Sequence, residues 1–65
     1  QREDFLNKNL ALFSDGAKFA KRIHVVDNEE VVIEKYELRD EKGQGLGQVQ
    51  LLLDKDDKLL SMTVQ

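Results

Sequence analysis

The chain has 65 residues, 13 acidic and 10 basic side chains for a net charge of -3, no cysteine, no proline and one histidine. A domain this small buries only about 60% of the surface its unfolded chain exposes; with disulfides excluded and a structural metal disfavoured, a partner chain is the remaining supplement to a thin core. Interspersed charges with a negative balance argue against nucleic acid or an anionic membrane surface as partner, and no apolar run approaches the ~20 residues of a membrane span or forms a signal-peptide core.

Residues 2–14 read as an amphipathic helix, because Phe5, Leu6, Leu10 and Phe13 recur at three- and four-residue spacings with Leu12 close to the same stripe. Glu3 and Asp4 fall in its first turn, where they favour the positive end of the helix dipole. Ser14-Asp15-Gly16 supplies the stop, since glycine adopts the left-handed conformation that closes a helix. Three turn signals follow, at 27–30, 40–45 and 54–58, and they divide the remainder into strands near 18–26, 31–39, 46–53 and 59–64. The last two alternate most cleanly: Val49, Leu51 and Leu53, then Leu60, Met62 and Val64.

Tight hairpins at the three turns set Val25 opposite Val32, Leu38 opposite Val49 and Leu53 opposite Leu60. The inward face then carries Phe19, Ile23, Val25, Val32, Tyr36, Leu38, Val49, Leu51, Leu53, Leu60, Met62 and Val64, with the helix stripe to cover it. The expected fold is α+β, one domain with an N-terminal helix packed on a four-stranded antiparallel meander sheet.

No catalytic, cofactor or metal signature emerges, and the chain reads as a non-enzyme. Lys21 and Glu34 fall on the inward face as diagonal neighbours, with Tyr36 opposite Lys21. Their first reading is a salt bridge at the rim of the core. The alternative is a small-ligand or enzymatic pocket between helix and sheet, with Glu34 as acid or base and Tyr36 as hydrogen-bond donor. Asp54, Asp56 and Asp57 lack the spacing of a calcium loop and are neutralised by Lys55 and Lys58, which points to a solvated hairpin tip. Gly43, Gly45 and Gly47 lead into a strand, so they suit a turn and a bulge better than a phosphate cradle.

On the outward face, Val26, Val31, Ile33, Leu52 and Leu59 gather toward one end beside His24, where a solvated sheet should be polar. The expected function is a protein-interaction or self-association module that uses this outer face, its partner another protein or a second copy. A further alternative is a protease-inhibitor-like domain presenting its hairpin loops.

The helix-then-meander order over residues 2–65 resembles the cystatin-like and nuclear-transport-factor-2-like group of folds. That resemblance implies an oligomerising or partner-binding module, a use common in secreted and membrane-attached bacterial proteins. Cystatins inhibit proteases through a Gln-x-Val-x-Gly hairpin; Gln48-Val49-Gln50 lies here inside a strand rather than at a tip. Beginning at Gln1 rather than Met, the chain is expected to be either a processed extracytoplasmic protein or an excised domain, so its localisation stays open.

Overall fold

A computed structural model, which describes residues 2–65, has one N-terminal helix and a four-stranded antiparallel meander, the α+β architecture read from the sequence. Helix α1 spans Arg2–Lys8 and a 3₁₀ turn follows at Leu10–Leu12. Strands β1 (Phe19–Asp27), β2 (Val31–Arg39), β3 (Gly45–Asp54) and β4 (Leu59–Val64) lie side by side in chain order.

The α-helix is shorter than its apolar periodicity suggests, and two asparagines account for this. Asn7 Nδ2 donates to the Glu3 carbonyl and Asn9 Nδ2 to the Phe5 carbonyl, both at 2.8 Å. Asparagine offers the backbone such local alternatives to continued helix. Asn9 leaves helical geometry at φ -127° and ψ 29°, and its N–H donates to the Leu6 carbonyl. Leu6 and Leu10 still face the sheet and are buried, whereas Phe5 and Leu12 are exposed. The core consists of Leu6, Leu10, Ala20, Tyr36, Leu38, Val49, Leu51 and Leu53, with Phe13, Ala17 and Val32 packed against it.

Each hairpin is organised by one Asx side chain at its start. Asn28 Oδ1 accepts from the Glu30 and Val31 N–H groups, Asp40 Oδ1 from Lys42 and Gln44, and Asp54 Oδ1 from Asp56 and Lys58. These bonds fix where each turn is centred. Around Asn28 they place Val26 opposite Ile33 and Val25 opposite Glu34, so the expected pairing of Val25 with Val32 is corrected by two positions. Around Asp40 they set Tyr36, not Leu38, opposite Val49; an even shift leaves the same side chains on the same face.

Bulges have larger consequences, because one extra residue turns the following side chains over. In β1 the register shifts between Arg22 and His24, which leaves Ile23 out of the pairing. Ala20 and Arg22 therefore lie opposite Leu38 and Tyr36 on the inner face, while Phe19 and Lys21 lie opposite Arg39 and Glu37 on the outer one. Phe19 and Lys21 are thus not on the inner face, and Ile23 sits unpaired in the bulge. In β4 the shift comes where Leu53 pairs with Leu59 instead of Leu60, although Leu51 meets Met62 and Val49 meets Val64. The third irregularity, between Leu38 and Arg39, accompanies Gly47, whose φ of +142° and whose approach to the Gln65 carbonyl leave no room for a Cβ.

Candidate functional site

Glu34 is the charged residue at the centre of the core: it is only 2% exposed and sits between Val25 and Leu51 on the inner face. A buried carboxylate persists only when paired and hydrogen-bonded, and three donors meet this one. Arg2 Nε donates to Oε1 at 2.8 Å and Arg2 Nη2 to Oε2, a two-pronged guanidinium contact. The Tyr36 hydroxyl donates to Oε1 at 2.6 Å. Arg2 Nη1 also reaches Asp57 Oδ1 at 3.2 Å, which ties the helix to the last hairpin.

The electrostatics follow from this geometry. Hydrogen bonding to Arg2 lowers the Glu34 pKa despite the opposing effect of burial, and the Tyr36 bond adds to the lowering. Burial, then the bond to Glu34, pushes the Tyr36 phenol up to about 12. Glu34 is ionised and Tyr36 neutral at physiological pH, and the carboxylate is already committed to three donors. This is the arrangement of a structural clamp rather than of a group poised to exchange protons near neutrality.

Of the three residues expected to share a pocket, Glu34 and Tyr36 come together and Lys21 does not, because the β1 bulge places Lys21 opposite Glu37 on the other face. Arg22 occupies the inner position instead, and with Arg2, Glu3, Tyr36 and Asp57 it lines an open polar hollow of about 340 Å³. Arg2 is the functional side chain that strand-by-strand reading missed. Its signal is the i, i+4 spacing to Leu6, which directs both side chains to the same helix face.

The acidic hairpin tip is likewise internally occupied: Asp54 accepts two backbone N–H groups and Asp57, at φ +64°, faces Arg2. In the same tip, Lys55 Nζ bridges to Asp27 Oδ1 at 2.5 Å and to the Asn28 carbonyl at 2.8 Å, which joins the first hairpin to the third.

On the outer face, Val26, Ile33, Leu52 and Ser61 form one cross-strand row, with Val31 opposite Asp54 at its end. The neighbouring row is polar: His24, Lys35, Gln50 and Thr63. Leu59 does not belong to this patch. The β4 bulge turns it to the inner side, where with Arg2, Phe5, Leu51, Leu53 and Met62 it borders an apolar hollow of about 210 Å³. That hollow exists because α1 is two turns long and leaves the inner face of β4 uncovered.

No helix among the described residues is long and apolar enough to cross a membrane. No protein-family model, curated protein or solved structure matches this chain.

Proposed function

We propose that this chain is a non-enzymatic protein-association module. The observation that carries the reading is the shortage of cover: one two-turn helix shields part of one sheet face, while the apolar row Val26, Ile33 and Leu52 crosses the other. Contiguous apolar surface of that kind on a small domain is characteristic of an interaction site. The commitment of Glu34 to Arg2 and Tyr36 supports the same reading, since the buried carboxylate is spent on holding the helix to the sheet. The helix-first meander that resembles the cystatin-like group points the same way, because members of that group serve as oligomerising or partner-binding modules.

Ile33→Asp tests the outer row. Ile33 lies between Val26 and Leu52, so the substitution puts a charge into the middle of a partner contact at a cost of several kcal/mol when unpaired. Sedimentation and thermal melts of parent and variant are expected to show lost association with a retained fold. Unchanged association, with itself and with any purified partner, overturns the outer row as the contact surface.

A further inference from the structure

The two edges of the sheet are finished differently. In an antiparallel ladder, alternate residues of an edge strand turn their N–H and C=O groups away from the neighbouring strand. On β1 the residues so turned include Ala20 and Arg22, and α1 occupies them. Asn7 accepts from the Ala20 N–H at 2.9 Å and donates to its carbonyl at 3.3 Å, while Glu3 Oε2 accepts from the Arg22 N–H at 3.2 Å. Lys21, Arg22 and the adjacent bulge add further protection to that edge.

β4 has a bulge of its own at Leu60, but beyond it no charged side chain guards the strand. Gln48 and Gln65 exchange both backbone bonds, and counting back in twos, Thr63 and Ser61 do the same with Gln50 and Leu52. Met62 and Val64 therefore turn their N–H and C=O groups outward, where the sheet order ends. Leu59-Leu60-Ser61-Met62-Thr63-Val64 contains no charge and no proline, the composition of an edge that accepts another strand.

We propose that β4 pairs antiparallel with β4 of a second copy, joining two sheets into one of eight strands. This deepens the association reading above and rests on it. The pattern is self-complementary: with Met62 facing Met62 of the partner subunit across a two-fold axis, outward-turned groups meet outward-turned groups and each inner face continues into the other. No charge on β4 opposes this pairing. Phe5, Leu59, Leu60, Met62 and Val64 are each about half exposed, so pairing covers up to roughly 400–500 Å² per copy, or about 800–1,000 Å² in total, the size of a weak, concentration-dependent interface. Because α1 occupies the outward groups of Ala20 and Arg22 on β1, that stretch of the other edge is closed to the same pairing.

The test combines sedimentation over a wide concentration range with residue-resolved amide exchange. The expected result is a monomer–dimer equilibrium in which the Met62 and Val64 amides become protected as concentration rises. Met62→Pro deletes an outward N–H and spares the bonds to β3, so it weakens the dimer at least about tenfold. Met62→Lys keeps every backbone bond, sets like charges opposite each other at the axis, and weakens the dimer in the same direction even if the proline variant folds poorly. A monomer at every concentration overturns the β4 pairing and leaves the association reading to Ile33→Asp with another protein. A dimer that Ile33→Asp abolishes, with Met62 and Val64 exchange unchanged, overturns the pairing and retains the reading.

Discussion

Removing the guanidinium from Glu34 is the most informative perturbation of this fold. Arg2→Met keeps much of the aliphatic stem that lines the apolar hollow with Phe5 and Leu51 but leaves a carboxylate that is 2% exposed with the Tyr36 hydroxyl as its remaining side-chain donor. Breaking a buried ion pair from one side costs about 3–5 kcal/mol, because the surviving charge loses its compensation. A domain of 65 residues has a total stability of roughly 3–10 kcal/mol, so urea unfolding followed by circular dichroism should show a large loss. Arg2→Met/Glu34→Gln should recover part of it, since the amide carries no charge and its oxygen still accepts the Tyr36 hydroxyl. The parent also has a defined acid response. The folded pKa of Glu34 lies below its ordinary value of 4.5, so the stabilisation is fully present above that value and is lost as pH falls through the folded pKa. In Arg2→Met the Glu34 midpoint, followed by NMR, should rise and this acid sensitivity should disappear. An Arg2→Met variant that unfolds at the parent's urea midpoint with an unmoved Glu34 titration refutes the clamp.

Other substitutions probe the rest of the scaffold. Tyr36→Phe removes a donor to a charged acceptor and should cost roughly 1.5–3 kcal/mol by urea unfolding. The Tyr36 pKa is raised from 10.0 to about 12, so the parent should lose stability as pH climbs between those values, and this alkaline component should be missing from the phenylalanine variant. Leu51→Ala empties a position buried beneath the helix and should cost about 2–5 kcal/mol; a neutral thermal melt would show that the β3 face is wrongly assigned. Gly47→Ala forces a Cβ to within 2.6 Å of the Gln65 carbonyl at a φ of +142°. The backbone strain alone is worth about 1–3 kcal/mol, and protection of the Gln65 amide against exchange should fall; unchanged protection would rule out the close approach.

Period-two alternation and three turn signals were enough to establish the meander, because strand faces and hairpin punctuation are local properties of the chain. They also placed Val49, Leu51, Met62 and Val64 together on the inner face and Val26 and Ile33 on the outer one. What they could not contain is the pair of bulges. An unpaired residue at Ile23 or Leu60 leaves no mark on the alternation, yet the first exchanges Lys21 for Arg22 on the inner face and the second brings Leu59 in from the outer one. The partner of Glu34 was equally out of reach of strand-by-strand reading, since Arg2 lies 32 residues away and meets it only when helix and sheet pack. The asymmetry of the two edges was decided last, because a side chain such as Asn7 closes β1 only after the helix has docked, whereas the helix ends too soon to cover β4.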